Sequence, residues 1–177
     1  MSKVLITGAN GFIGRQLCLK LSFTGRTIIK LVRRINEDDK SDQFLCDLGL
    51  DQINDNMFDG VETVFHLAGI PHDTNNKAIK DSLYYDVNVI ATEQLAIAAE
   101  KKGVKKFIYI SSVKAGGTPL LGKCMSEEDQ IEPDEIYGKT KRDAELRLLE
   151  IQNKSEIQIS IIRPSLVYGP DVKGNLH

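Results

Sequence analysis

The chain has 177 residues, enough for one domain with a sizeable core, and its 23 basic and 25 acidic side chains nearly cancel. That balance excludes the strongly basic face of a nucleic-acid partner or of a protein held on an anionic membrane. Cys18, Cys46 and Cys124 are odd in number and not closely paired, which fits a reducing cytoplasm, and His66, His72 and His177 stand at no metal-ligand spacing, so no metal site is expected.

No long apolar span and no signal-peptide pattern is present, and Met1 leads almost directly into the first predicted strand, Val4–Ile6. A helix follows over Phe12–Leu21, with apolar residues at helical spacing, and Gly25 breaks it. Thr27–Val32 is β-branched and apolar, a second strand. Asn36–Asp42 is charged and loop-like, with Asp38 and Asp39 read as solvated charges. Gln43–Cys46 is a weak third strand and Val61–His66 a fourth, ending at Leu67-Ala68-Gly69. Asp86–Lys102 carries Ala, Leu and Ile at core spacing, a long helix stopped near Gly103. Lys101, Lys102, Lys105 and Lys106 flank that helix end, where cations complement the dipole. Lys106–Ile110 is a fifth strand, Gly116–Pro133 a loop, Asp134–Asn153 a helix and Ile157–Ile162 a sixth strand. Strands alternating with helices imply an α/β fold with a doubly wound parallel sheet of about six strands.

Two short stretches carry the chemistry. Thr7-Gly8-Ala9-Asn10-Gly11-Phe12-Ile13-Gly14 follows strand one and opens a helix. Gly8 permits a tight turn, Gly11 lets backbone approach a pyrophosphate, and Gly14 lets the helix pack on the strand; the helix N-terminus favours the anion. Tyr137-Gly138-Lys139-Thr140-Lys141 places a phenol and an ammonium four residues apart on one helix face. A free phenol has a pKa of about 10 and is a poor base near neutrality. A nearby ammonium and a cationic nicotinamide would lower it. In doubly wound folds ligands sit beyond the carboxyl ends of the strands. Those ends carry Gly8, Arg33, Asp47, Ala68-Gly69, Ser111-Ser112 and Arg163-Pro164.

With these motifs located, the chain resembles the extended short-chain dehydrogenase/reductase family, in its NAD-dependent epimerase/dehydratase branch, which holds UDP-galactose 4-epimerase and other nucleotide-sugar enzymes. The resemblance runs through TGANGFIG, Asp47-Leu48, His66-Leu67-Ala68-Gly69, Asn88-Val89 with Thr92, Ser111-Ser112-Val113, the Tyr137–Lys141 stretch, and Arg163-Pro164 with Val167-Tyr168-Gly169-Pro170. It implies a Rossmann-type domain over 1–177 with Tyr137 as general acid/base, Lys141 lowering its pKa and bonding the nicotinamide ribose, and Ser112 on the reacting hydroxyl, with Ser111 as the competitor for that role. It implies a cofactor site of Gly8, Asn10, Gly11, Phe12, Ile13, Gly14, Arg33, Asp47 (at the adenine), Leu48, Leu67, Ala68, Gly69, Asn88, Lys141 and Pro164. His66 is expected to pack at a strand end and Tyr168 to close a turn near the nicotinamide.

The resemblance further implies a UDP-sugar as substrate, oxidised at C4 by Tyr-assisted hydride transfer to NAD or NADP, in a cytoplasmic enzyme that can pair as a homodimer. A net 4-dehydrogenase or reductase, or a cofactor-binding domain without catalysis, are the alternatives. Two departures stand out. Family members run well past this length, so the chain looks like the cofactor half of a longer enzyme, ending at Gly174-Asn175-Leu176-His177 without the sugar-binding lobe. NAD-binding members carry an acid after strand two, where this chain has Val32-Arg33-Arg34, which leaves NAD and NADP both open.

Overall fold

A computed structural model describes residues 2–71, 81–119, 121–122, 124–129 and 131–169; His72, His177, Pro170 and the tail after it lie outside the described residues. Six strands form one sheet: β1 (Lys3–Thr7), β2 (Thr27–Val32), β3 (Asp42–Leu45), β4 (Val61–His66), β5 (Lys106–Ile110) and β6 (Gln158–Ile162). Their order is β3-β2-β1-β4-β5-β6, and every pairing is parallel. The strand order therefore reverses between β1 and β4, which opens a crevice beyond their carboxyl ends.

Side-chain alternation assigns the two faces. On β1, Val4 and Ile6 pack with Cys18 and Leu21 of α1 (Phe12–Ser22). Leu5 between them points the other way, into a larger cluster with Val64, Phe107, Leu95 and Leu148. That cluster is covered by α3 (Ala91–Lys101) and α4 (Ile136–Lys154). α3 turns Ala91, Ala96, Ala98 and Ala99 inward, small side chains that let the helix lie close to the sheet. Each fully buried leucine or phenylalanine contributes roughly 1.5–3 kcal/mol of transfer free energy.

Element ends differ from the sequence reading by one or two residues, and three departures are larger. The helix expected from Asp86 starts earlier, as α2 (Asp81–Tyr85), and passes through a π-helical segment (Asp86–Ile90) before α3. Two 3-10 turns, Asp55–Phe58 and Val113–Gly116, form where the sequence reading assigned no helix or strand. Asp39 is not a solvated charge: it pairs with Lys30 at 2.6 Å, accepts from the Ser41 hydroxyl, and its carboxyl is held down to about 2 by those bonds. Among the described residues no helix is long and apolar enough to cross a membrane.

Candidate active site

The glycine turn is shaped by what a side chain would strike. Gly8 has φ +66°, and a Cβ there would lie 2.7 Å from the Ala68 amide nitrogen. At Gly14 a Cβ would come within 2.2 Å of the Gly8 carbonyl oxygen, so α1 approaches β1 as closely as backbone allows. A Cβ at Gly11 would meet, among the described residues, only the Gly8 carbonyl oxygen, at 3.1 Å. Gly11 is also the N-cap of α1, with no side-chain cap and no acid in the first turn. The amides that begin α1, at Phe12, Ile13 and Gly14, are thus capped by no side chain among the described residues, the state in which a helix N-terminus can take an anion. The donor set and the space above Gly11 fit a pyrophosphate. Exposed Asn10 borders this turn, and a Cβ added to Gly169, after β6, would lie 3.6 Å from the Phe12 ring.

Beneath the turn lies a buried polar network centred on His66, which is fully buried. The Thr92 hydroxyl donates to the Asn88 carbonyl at 2.8 Å, so it accepts from His66 Nε2, also at 2.8 Å. That fixes the tautomer: Nδ1 accepts from the Thr7 hydroxyl at 2.6 Å. Thr7 Oγ1 in turn accepts from the amides of Leu67 and Ala68. Burial, then the Lys141 charge, holds the imidazole neutral down to about 3. His66 is thus a strand-end residue rather than a base, and it ties the carboxyl ends of β1 and β4 to the π-helical segment.

That segment aims Asn88 at the loop after β4. Its Oδ1 accepts from the Ile70 amide at 2.8 Å, and its Nδ2 donates to the Ile70 carbonyl and to the Thr140 hydroxyl. A π-bulge rotates the residues after it relative to a regular helix and recurs at functional sites. Here it places Asn88 between the Ala68-Gly69 loop and α4. The backbone at Gly69 runs so close that a Cβ would meet Asn88 Oδ1 at 2.9 Å and Lys141 Nζ at 3.4 Å.

Ser112, Tyr137 and Lys141 meet at the end of β5. Ser112 is the N-cap of the turn Val113–Gly116, its hydroxyl accepting from the Lys114 amide, and it lies close enough to Tyr137 to bear on the phenol. Ser111 is buried, with no partner for its hydroxyl among the described residues. Burial raises the Tyr137 phenol above its usual value, and the Ser112 hydroxyl opposes that rise. Lys141 is only 4% exposed; its Nζ donates to the Ile110 carbonyl at 3.0 Å and lies 4.7 Å from the Tyr109 ring centre and 6.0 Å from that of Tyr137. Burial lowers Lys141 to about 8, with Glu145 opposing, so the ammonium is still charged at neutral pH.

The remaining sequence-read positions spread around this centre. Arg33 is exposed just past β2, Asp47 makes a turn with Leu50 and Asp51, and Leu48 is buried. The carbonyl of Pro164 accepts from the Val113 amide, which ties the segment after β6 to the Ser112 turn. The sequence reading missed Glu145, which is 3% exposed and bound bidentately by Arg163 at 2.9 and 2.5 Å. Its signal was there: Tyr137, Lys141 and Glu145 fall at successive steps of four on one helix face.

The chain was compared with known proteins. Residues 4–177 match the NAD dependent epimerase/dehydratase family. A UDP-glucose 4-epimerase of Vibrio cholerae is 35% identical over 97% of this chain and 54% of its own length. An N-acetyl-alpha-D-glucosaminyl-diphospho-ditrans,octacis-undecaprenol 4-epimerase of Escherichia coli O157:H7 is 35% identical over 98% of this chain and 51% of its own. Among solved structures, MoeE5 in complex with UDP-glucuronic acid and NAD superposes with a TM-score of 0.80 at 32% identity, over 92% of this chain and 54% of that one. The chain spans about half the length of the curated relatives it matches. The strand order, the uncapped glycine turn and the match across nearly every residue place this chain in the NAD-dependent epimerase/dehydratase family.

Proposed function

We propose that this chain binds NAD, with the pyrophosphate on the Gly8–Gly14 turn and the nicotinamide end against Ala68, Gly69 and Lys141, and that it serves the oxidation of a UDP-sugar at its C4 hydroxyl. The observation that carries the reading is the meeting of Ser112, Tyr137 and Lys141 at the end of β5, with Lys141 Nζ beside Gly69 in the loop that also braces Gly8. MoeE5, the structural relative described above, holds a UDP-sugar and NAD together.

When bound, the nicotinamide accepts the hydride. The chain's own residues handle the proton. Tyr137 takes it from the sugar hydroxyl, and Ser112 orients that hydroxyl beside the phenol. Burial alone disfavours the phenolate, so the Lys141 ammonium supplies the opposing field, to which a bound oxidised nicotinamide would add its positive charge. Lys141 also bonds the ribose, from the position its Ile110 contact fixes. An epimerase returns the hydride to the opposite face of the 4-keto sugar. The sugar-gripping part belongs to the half of the relatives' length that this chain does not span. Proton and hydride transfer then reside here, and sugar positioning there, where a misplacement of about 1 Å costs about 100-fold.

The test mixes NAD and UDP-glucose or UDP-galactose with the 177-residue chain and with any longer product of the same gene. Bound NADH and epimerised sugar are expected from the longer form, reduced about 100-fold or more by Tyr137→Phe. Full turnover by Tyr137→Phe would overturn the assignment. Equal turnover by the short and long forms would overturn the division of labour.

A further inference from the structure

Lys141 is a cation almost wholly removed from water. A buried charge is costly unless something pairs it. The polar groups around it supply little formal charge. From β4, His66 is neutral down to about 3. From β5, Tyr109 stacks on His66 with its phenol well above its usual value, raised mainly by burial, and Ile110 offers only a carbonyl dipole. From α4, the Tyr137 phenol is also raised by burial. Tyr84 of α2 faces Tyr137 and is a second phenol. Among the described residues that bear on Lys141, one carboxylate is left: Glu145, one helical turn on.

Glu145 is itself held in place. It is as buried as Lys141, and Arg163, just past β6, forks onto both its oxygens. Two hydrogen bonds in parallel fix direction as well as distance. The third guanidinium nitrogen of Arg163 faces Gly116, in the turn that Ser112 caps. The segment after β6, the Ser112 turn and the α4 face are thereby joined around one ion pair.

We propose that Glu145, clamped by Arg163, is a positioning residue that supplies the counter-charge of the buried Lys141 ammonium. The proposal rests on the reading of Lys141 given above, because a neutral amine there would neither favour the Tyr137 phenolate nor bond the ribose as a cation. Without Glu145 the ammonium loses the carboxylate one helical turn along α4, so its proton leaves at lower pH.

The test titrates the full 177-residue chain, carrying carbon-13 in its lysine side chains, by NMR, with the Lys141 signal identified by its absence in Lys141→Arg. Wild type, Glu145→Gln and the double variant Glu145→Gln/Arg163→Met are compared. The double variant removes Arg163 along with its carboxylate, so only Lys141 is left without a counter-charge, and it guards against misfolding of the single one. Lys141 is expected to titrate near 8 in wild type, and in both variants lower by at least roughly half a pH unit. A residue that merely holds the fold would lower the melting temperature without moving this midpoint. Unchanged midpoints in both variants would overturn the proposal. A midpoint lowered in the single variant and restored in the double would also overturn it, by assigning the effect to the unpaired Arg163. NAD affinity is measured across the same pH range. If wild type binds no NAD at any pH, the proposed function fails, while the lysine midpoints still decide the role of Glu145.

Discussion

Gly14→Ala isolates the demand that α1 lie against β1. The added Cβ would sit 2.2 Å from the Gly8 carbonyl oxygen and 2.9 Å from Ala9 Cα, all of it backbone, so no flexible side chain can give way. Restoring ordinary contact needs a displacement of about 1.2 Å between the turn and the helix. Alanine improves helix propensity by up to about 1 kcal/mol over glycine. Overpacking costs about 1–3 kcal/mol, and a rigid backbone neighbour puts this site at the upper end. Strain wins, and for a chain of this size the melting temperature falls by roughly 4–10 °C. Gly11→Ala meets one atom at 3.1 Å and has φ −75°, which alanine adopts freely, so it gives up little beyond the N-cap preference for glycine and its melting temperature falls by less than that of Gly14→Ala. Thermal unfolding followed by circular dichroism compares the two. Equal melting temperatures for Gly14→Ala and Gly11→Ala would refute the close-approach argument.

Other expectations follow from the same geometry. The His66 imidazole titrates at about 3 in the fold against 6.5 ordinarily, so the unfolded chain binds the extra proton in between and stability is lost as pH falls through that window. Between pH 6.5 and about 5, above the carboxylates, urea unfolding should show a loss of about 1.5 kcal/mol, which His66→Asn removes; an unchanged slope in the variant would contradict the buried neutral imidazole. Arg33 stands at the end of β2 where a 2′-phosphate would lie, so Arg33→Asp should weaken NADP binding at least about tenfold more than NAD binding. An unchanged ratio of the two affinities would remove Arg33 from the site.

Much of the fold was legible because its signals are local. The glycine spacing after β1, the β-branched run of β2 and the four-residue step from Tyr137 to Lys141 each sit within a few residues. What could not be read joins distant positions. His66 meets Thr7 across 59 residues and Thr92 across 26, and nothing near His66 announces either hydroxyl. Asp39 looked solvated because its loop is charged, whereas Lys30 on β2 folds it back onto the sheet. The π-helical turn at Asp86–Ile90 keeps a helical pattern of apolar residues, so periodicity alone could not separate it from α3. Glu145 was overlooked because its partner, Arg163, arrives from the far side of β6.

On the proposed reading, one dinucleotide lies along this crevice, its pyrophosphate on Gly11 and its ribose at Lys141. Calorimetric titration of NAD into wild type, Gly11→Val and Lys141→Met tests both ends at once. The expected result is saturable binding in wild type, loss in Gly11→Val where a side chain fills the pyrophosphate space, and weakening of about tenfold or more in Lys141→Met. Wild-type affinity in either folded variant would contradict it.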